Sequence, residues 1–299
     1  MCYFFKNISI IITSMLGISR KCSYCGQEME STASECPHCG EENNNPIIKK
    51  EKMVAFYPWW KQIAFFGTGW VFLNLFALFA TGVLSLLGAG SAIINYTIYI
   101  VTFGVMLLVI WDDYHPLLKS FKSWKPYVFG IAGLIVILIA EGLWGTFTSI
   151  IFFLMKIESG VNANETAVRN VVISSPFMSL IVFGIIGPIC EELTYRVGIF
   201  SFFRRIHIVL AYFLSIVFFA FIHFDHGSVF AYFLHMNDEK SYLYFCDMIV
   251  ELLNLPMYMF AGAVFTFLYH KFGFAGSFVC HATNNMLGNL LTHLRKLLE

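Results

Sequence analysis

Residues 176–203, PFMSLIVFGIIGPICEELTYRVGIFSFF, are long and apolar enough to cross a ~30 Å bilayer core as one helix, yet their centre carries Glu191, Glu192 and Arg196. An Asp, Lys or Arg at the centre of a membrane helix costs about 2.5–3.5 kcal/mol on insertion scales. On a helix, Glu192 and Arg196 are four residues apart and can pair, which lowers that cost. Glu191 projects about 100° away, so it can face a cavity or another helix.

The composition of the whole chain is that of an integral membrane protein. Of its 299 residues, 58% are hydrophobic and only 13% are charged, which is too little charge to cover the surface of a soluble domain. The aromatic content of 18%, with 33 Phe, is typical of lipid-facing helices with interfacial Trp and Tyr. Lys plus Arg equals Asp plus Glu, at 19 each, so no overall field indicates a nucleic-acid partner.

The apolar stretches predict an all-α, polytopic membrane helix bundle of about seven transmembrane helices, preceded by a small zinc ribbon. The predicted helices are 63–87, 92–110, 128–154, 176–203, 208–225, 248–270 and 273–292. We divide the chain into an unassigned apolar N-terminus (1–19), a ribbon (20–42), a linker (43–60) and the bundle (61–292). The N-terminal stretch reads either as a signal-like segment behind Lys6 or as sequence before a translation start at Met15.

Basic residues in short loops predict that the N-terminus is cytoplasmic. With that orientation, most basic clusters fall on the cytoplasmic side: Lys49, Lys50, Lys52, Lys119, Lys122, Lys125, Arg204, Arg205 and Lys271. The loops on the other side hold Lys156, Arg169 and Lys240 among more acidic neighbours. Arg295 and Lys296 conflict mildly with this orientation, because they would lie outside.

Four cysteines in the polar N-terminal segment have the spacing of a metal site. The stretch KCSYCGQEMESTASECPHCG contains Cys22-x2-Cys25 and Cys36-x2-Cys39, and a glycine that permits left-handed backbone follows each pair. Four thiolates form a closed, structural Zn²⁺ site, and in a cytoplasmic setting zinc is favoured over two disulfides. We expect His38 to be a solvated neighbour and the ribbon to be structural or to bind a protein partner. The other cysteines are scattered through apolar sequence, where a free thiol is usually a small buried hydrophobe: Cys2, Cys190, Cys246 and Cys280.

Two later helices also carry polar side chains at membrane depth. His223 follows Phe219 by one turn, and His281 and Asn285 are again four residues apart. A single intramembrane His or Asn is often only an interhelical hydrogen-bonding group, and we read Glu141 as an auxiliary polar group. Ionisable groups on successive membrane helices instead indicate a functional site, so we expect these side chains to face one pocket. Near a loop, three further residues are expected to be solvated: Asp225, His226 and His235.

Together these motifs resemble the CPBP family of intramembrane proteases, the CAAX-protease and bacteriocin-processing (Abi) group. The family pattern is E-E-x-x-x-R, then F-x-x-x-H, then H-x-x-x-N or D. All three motifs are intact and in order: Glu191-Glu192-x-x-x-Arg196, Phe219-x-x-x-His223 and His281-x-x-x-Asn285. The resemblance covers roughly 176–292, which would be the protease core, and departs from the family at Tyr195–Gly198, where Phe-Arg-Gly is commoner.

The resemblance implies catalytic roles for the motif residues. Glu191 would be the general base and His223 would help to orient and deprotonate a water. His281 and Asn285 would stabilise the oxyanion, while Glu192 and Arg196 would hold the helix and tune Glu191. A Zn²⁺ held by Glu191, His223 and His281 is an alternative. The lack of an H-E-x-x-H motif favours the metal-free form, so we expect no catalytic metal.

The sequence thus predicts an intramembrane endopeptidase whose substrate is a peptide or small protein, either prenylated or a secreted-peptide precursor. One alternative is a non-catalytic membrane scaffold or bacteriocin-immunity protein that keeps the pocket for binding. Another is a small transporter with a proton relay, although neither an inverted repeat nor paired broken helices are visible in the sequence. We also expect the protein to contact membrane lipid and the ribbon to bind a protein partner.

Overall fold

A computed structural model describes residues 19–22, 25–30, 33, 35–40, 53–55, 57–157 and 160–299. Residues 1–18 of the unassigned N-terminus and residues 43–52 of the predicted linker lie outside this description. The ribbon contains an antiparallel pair of short strands, β1 (Ser19–Lys21) and β2 (Glu28–Glu30), with Arg20 opposite Met29. The regular structure of the described residues after the ribbon is helical.

Eight helices make up the bundle. They are α1 (Trp59–Leu86), α2 (Ser91–Ile110), α3 (Lys125–Leu154), α4 (Ala163–Ser174), α5 (Pro176–Phe203), α6 (Ile208–Phe221), α7 (His226–Leu234) and α8 (Ser241–Leu298). Two short helical turns, His115–Leu118 and Lys119–Lys122, connect α2 to α3. This architecture confirms the predicted all-α membrane bundle behind a small ribbon.

By length and hydropathy, five helices in the described residues can cross a membrane, and up to six if α6 and α7, bent by 67°, form one broken span. The predicted number of about seven is larger because it counts α8 as two helices. The geometry of α8 supports that division. Phe265 and His281 would lie about 24 Å apart along a straight helix, but their ring centroids are 4.4 Å apart.

Gly273 is the residue at which α8 folds back on itself. Its backbone is non-helical, with φ 75° and ψ −168°, a conformation that side chains with a Cβ rarely adopt. A Cβ there would also lie 2.2 Å from the carbonyl oxygen of Met53. The chain therefore forms a helical hairpin with a first arm (241–272) and a second arm (274–298). Helix α3 packs on both arms, because Gly133 approaches both Leu268 and Cys280.

Helix α5 lies at the centre of the bundle. In its most apolar window 61% of the residues are buried, against 17–28% in the other four spanning helices. Its neighbours approach closely: a Cβ on Gly198 would lie 2.9 Å from the backbone nitrogen of Phe66 in α1. Ser215 of α6 donates a hydrogen bond to the Tyr195 carbonyl, at 3.0 Å. The helix that carries the three charges is thus the one that is most shielded from lipid.

The described parts of three loops that are basic in sequence lie at one end of the bundle. Gly273, beside Lys271, contacts Met53, and Ser120 accepts a hydrogen bond from the backbone nitrogen of Ala275 at 2.9 Å. The loops before α1, after α2 and between the arms of α8 therefore share one face. Their common placement agrees with the charge pattern, and the cytoplasmic assignment of that face stays a prediction.

A buried ion pair docks the ribbon on this end of the bundle. The Arg205 guanidinium follows α5, contacts the Glu30 carboxylate, and donates hydrogen bonds to Gln62 Oε1 (3.0 Å) and the Tyr57 carbonyl. Glu30 also accepts a hydrogen bond from the backbone nitrogen of Trp59, at 3.1 Å. Burial lowers the pKa of Arg205, and the neighbouring carboxylate opposes that shift. The last residues of the predicted linker pack with the bundle, since Val54, Ala55 and Tyr57 are fully buried.

We expect Glu30→Gln to lower the free energy of unfolding by about 1–3 kcal/mol, because it leaves the buried Arg205 guanidinium without its counter-charge. Denaturant unfolding of the purified protein in detergent measures the change. Glu299→Gln is the matched control, since it removes a carboxylate from an exposed pair with Lys296 and should change stability by less than about 0.5 kcal/mol. Equal effects of the two variants would contradict the docking.

Candidate active site

Glu192, Arg196 and His281 form a buried charged cluster behind the surface of a cavity. The Glu192 and Arg196 side chains are fully buried, and Arg196 Nη1 lies 3.3 Å from Glu192 Oε1. The same carboxylate oxygen lies 2.9 Å from His281 Nδ1 on the second arm of α8. The pairing that the i,i+4 spacing predicts is present, with an imidazole as a third member that the sequence analysis did not assign to it.

Inside the bundle, Arg196 has one backbone hydrogen bond and two aromatic neighbours, while its Nε and Nη1 have no hydrogen-bond partner in the described chain. Arg196 Nη2 donates a hydrogen bond to the carbonyl of Gly262, at 3.2 Å. The guanidinium carbon lies 4.5 Å from the ring centroid of Phe219 and 5.4 Å from that of Phe265. Cations over aromatic faces are stabilised by the ring quadrupole, most strongly where water is excluded. Phe219, the aromatic residue of the second motif, therefore supports the arginine of the first.

Glu191 lies between two imidazoles. Its Oε2 atom is 3.6 Å from Nε2 of His223 and 3.6 Å from Nε2 of His281. Its Oε1 atom accepts a hydrogen bond from the Tyr99 hydroxyl of α2, at 3.3 Å. Oε2 is buried and has no hydrogen-bond partner within the described part of the chain. A distance of 3.6 Å exceeds a direct hydrogen bond, so Oε2 keeps its capacity to accept one.

A cavity of about 520 Å³ distinguishes the roles of the predicted site residues. Four of the six line it: Glu191, His223, His281 and Asn285. Glu192 and Arg196 do not line it and lie behind it. Asn285 also donates a hydrogen bond from Nδ2 to the Phe183 carbonyl, at 3.0 Å, which orients its amide. Glu141, the predicted auxiliary group, lines the same cavity.

His223 lies in a turn, not on a helix as the predicted span 208–225 implied. Helix α6 ends at Phe221, and α7 begins in a new direction because Asp225 caps it, accepting hydrogen bonds from the backbone nitrogens of Gly227 (2.9 Å) and Ser228 (3.2 Å). A side chain that caps a helix N-terminus satisfies donors that the helix leaves unpaired. Asp225, expected to be a solvated residue near a loop, is half-buried and in addition caps α7.

Several cavity residues were not singled out from the sequence. Tyr99 contacts Glu191 from a helix 92 positions earlier. Tyr258 stacks on His223, with ring centroids 4.7 Å apart and planes 14° apart. A tyrosine in an aromatic-rich membrane helix carries no local signal of such a contact, because Tyr is common at membrane interfaces. Only a three-dimensional arrangement can identify these residues.

The four cysteines of the ribbon converge on one point. Sγ of Cys22 and Cys39 are 3.8 Å apart, Sγ of Cys25 and Cys36 are 3.7 Å apart, and all four sulfurs lie within 4.8 Å of one another. Ligands at a Zn–S distance of 2.3 Å in a tetrahedron would be about 3.8 Å apart, so the set fits a structural metal ion. Gly26 (φ 71°) has the left-handed backbone expected after a cysteine pair, as does the glycine after the second pair.

Comparison with protein families gives one match. Residues 173–287, a little over a third of the chain, match the family model described as Type II CAAX prenyl endopeptidase Rce1-like. This segment carries all three motifs, and the matched model is one of the CPBP/CAAX protease family. The match, together with the apolar helices, supports a CAAX-type intramembrane protease in a multi-pass membrane protein. Neither the curated proteins nor the solved structures gave a match to the chain.

The cluster behind the cavity should govern stability more than the carboxylate that faces it. Arg196→Met leaves the buried Glu192 carboxylate without its cation and should lower the free energy of unfolding by about 3–5 kcal/mol. Glu191→Gln, which keeps the side-chain volume at the cavity surface, should cost about 1 kcal/mol or less. Denaturant unfolding of both variants in the same detergent gives the comparison. A smaller loss for Arg196→Met than for Glu191→Gln would contradict the assignment.

Proposed function

We propose that the protein is an intramembrane endopeptidase that hydrolyses a peptide bond in this cavity, with Glu191 as the general base. The observation that carries the proposal is the position of Glu191 Oε2, buried, without a hydrogen-bond partner in the described chain, and flanked by two imidazole nitrogens at 3.6 Å. A water that donates a hydrogen bond to Oε2 would lie beside both rings. Proton transfer from that water to Glu191 would create the nucleophile.

His223 is proposed to orient the water. Its Nε2 atom faces Glu191, and its ring forms part of the cavity wall. An imidazole can accept a proton from the water or donate a hydrogen bond to it, depending on the tautomer. Either arrangement directs a lone pair of the water oxygen into the cavity, towards a substrate carbonyl.

His281 and Asn285 are proposed to stabilise the oxyanion of the tetrahedral intermediate. Nδ1 of His281 contacts Glu192 Oε1 at 2.9 Å, and Nε2 of the same ring lies 3.6 Å from Glu191 Oε2 at the cavity. A protonated Nε2 can donate a hydrogen bond to an oxyanion. An oxyanion donor of this kind contributes about 2.7–4 kcal/mol to lowering the barrier.

The metallopeptidase alternative uses the same residues as zinc ligands. In the described chain, the ribbon cysteines are the one group of three or more Cys, His, Asp or Glu side chains placed so that it could hold a metal ion. Glu191, His223 and His281 do not form a set of that kind. This geometry favours the metal-free mechanism, in which Glu192 and Arg196 hold the first-motif helix and tune Glu191.

The proposed substrate is a peptide that enters from the membrane, with a prenylated peptide as the first candidate. The matching family is named for prenyl endopeptidases that act on CAAX peptides. A secreted-peptide precursor is the second candidate. We propose that the N-terminus and the ribbon are cytoplasmic, because short basic loops favour that side of the membrane.

Glu191→Gln should lower kcat for peptide cleavage by about 10²–10⁴-fold, because an amide cannot take the proton from water. The measurement is cleavage of fluorogenic peptides, with and without a farnesyl group, by the purified protein in proteoliposomes. Glu239→Gln, the same change at an exposed position away from the cavity, is the control and should keep wild-type activity. An unchanged kcat in Glu191→Gln would contradict the enzyme. Full complementation of a deletion strain by that variant would favour the scaffold or immunity role.

The ribbon is proposed to bind one structural Zn²⁺ through Cys22, Cys25, Cys36 and Cys39. Elemental analysis should give about one zinc per chain in the wild type and none in a Cys36→Ala, Cys39→Ala double variant. Cys246→Ala, which removes a buried thiol elsewhere, should keep the zinc. A double variant that still contains one metal ion per chain and cleaves peptide would contradict the metal-free mechanism.

A further inference from the structure

We infer that Tyr258 and Glu251, on one face of the first arm of α8, are positioning residues for His223, a role that rests on the proposed function. His223 lies beyond the end of α6, in the turn before α7. No helical backbone fixes its ring there, so the imidazole needs anchors from another element. The first arm of α8 provides two of them.

The first anchor is a stacked ring. Tyr258 lies nearly parallel to the His223 imidazole, with planes 14° apart and centroids 4.7 Å apart. Phe219 is a second ring neighbour in edge-to-face geometry, with its centroid 5.0 Å from that of the imidazole. These two aromatic contacts restrict the rotation of the imidazole, whose Nε2 atom lies 3.6 Å from Glu191 Oε2. Aromatic pairs of this kind have preferred geometries, so they restrict the orientation of the imidazole ring.

The hydroxyl of Tyr258 is itself held in place. It accepts hydrogen bonds from Nδ2 of Asn162 (3.2 Å) and of Asn164 (3.4 Å). Asn162 is buried and caps α4, accepting a hydrogen bond from the backbone nitrogen of Glu165 at 2.9 Å. The start of α4 thus fixes the tyrosine ring that fixes the imidazole. Both asparagines line the cavity.

The second anchor is a buried carboxylate. Glu251 Oε2 accepts a hydrogen bond from the backbone nitrogen of Asp225 (3.1 Å), two residues after His223. Its Oε1 accepts one from the backbone nitrogen of Ala163 (2.8 Å), at the start of α4. Both donors belong to helix N-termini, where partial positive charge favours an anion. One carboxylate therefore ties the His223 turn and the α4 start to the same helix.

Tyr258 and Glu251 are seven residues apart, which places them on the same face of the first arm, two turns from each other. This face joins three segments that are distant in sequence: the His223 turn, the start of α4 and the first arm itself. If this face of the first arm shifts relative to the His223 turn, Nε2 of His223 moves relative to Glu191. A misplacement of about 1 Å can cost 10²-fold in rate, so the face should act on the chemical step more than on substrate binding.

The test is steady-state peptide cleavage by wild type, Tyr258→Leu, Tyr258→Phe and Glu251→Gln in proteoliposomes, normalised to folded protein. Tyr258→Leu removes the stacked ring and should lower kcat about 10- to 100-fold with KM within about threefold of wild type. Tyr258→Phe keeps the ring and should restore kcat to within about fivefold of wild type. Glu251→Gln replaces one acceptor by an N–H donor and should lower kcat about tenfold or more.

The matched control is Tyr244→Leu. Tyr244 stacks on His235 with centroids 4.9 Å apart and planes 23° apart, on the same helix but outside the cavity. Its removal should leave kcat within about twofold of wild type. Equal losses in Tyr244→Leu and Tyr258→Leu would contradict the inference, because the effect would then be a general one on the helix.

Failure of the inference can be told apart from failure of the proposed function. If the wild type cleaves, Glu191→Gln does not and Tyr258→Leu keeps kcat within twofold, the positioning role is wrong and the enzyme stands. If Glu191→Gln cleaves as fast as wild type, the proposed function fails. Should Tyr258→Leu not yield folded protein, Glu251→Gln decides in the same way: a kcat within twofold of wild type contradicts the inference.

Discussion

The buried contact of Glu192 with Arg196 and His281 is the interaction on which the rest of the site depends. One carboxylate oxygen lies 3.3 Å from a guanidinium nitrogen of its own helix and 2.9 Å from an imidazole of the second α8 arm. Such groups are costly in the interior of a membrane bundle unless they are paired and hydrogen-bonded. By pairing with both partners, Glu192 ties α5 to the hairpin and sets the orientation of His281.

The two adjacent glutamates, Glu191 and Glu192, therefore have different environments. Glu192 is enclosed behind the cavity wall, where its Oε1 contacts Arg196 and His281, whereas Glu191 lines the cavity with its Oε2 between two imidazoles. In the described chain, Oε2 of each carboxylate is buried without a hydrogen-bond partner. The 100° step between neighbouring helix positions is the physical origin of this division. A buried charged pair and a carboxylate that lines the cavity can therefore occupy consecutive positions, and in the described chain the helix that carries both is the most buried of the spanning helices.

Much of this arrangement could be predicted from the sequence, because its causes are local. Apolar length identifies the membrane helices, a four-residue spacing pairs Glu192 with Arg196, and the spacing of the cysteines indicates the metal site. The boundary between the predicted helices 248–270 and 273–292 also predicts that the chain turns back near Gly273. Each of these follows from residues within one or two helical turns, or from composition.

The remainder depends on contacts between distant segments, which no single segment reveals. Tyr99 reaches Glu191 across 92 positions, and Glu251 reaches Ala163 across 88. Glu30 contacts Arg205, which lies 175 positions later in the chain. No local sequence pattern therefore predicts that the ribbon docks on the bundle. The place of His223 in a turn was mispredicted because an apolar run suggested that the helix continues, whereas the Asp225 cap starts a new one. The length of an apolar stretch does not indicate where a helix ends and another begins in a new direction.

The role of Glu191 is tested most directly by an experimental structure of the Glu191→Gln variant with an uncleaved peptide substrate. The peptide should lie in the 520 Å³ cavity, with its scissile carbonyl carbon within about 3–3.5 Å of a water held by residue 191. The carbonyl oxygen should face Nε2 of His281 and the amide of Asn285, without a metal ion between them. A peptide bound outside this cavity, or with its carbonyl turned away from both donors, would contradict this expectation.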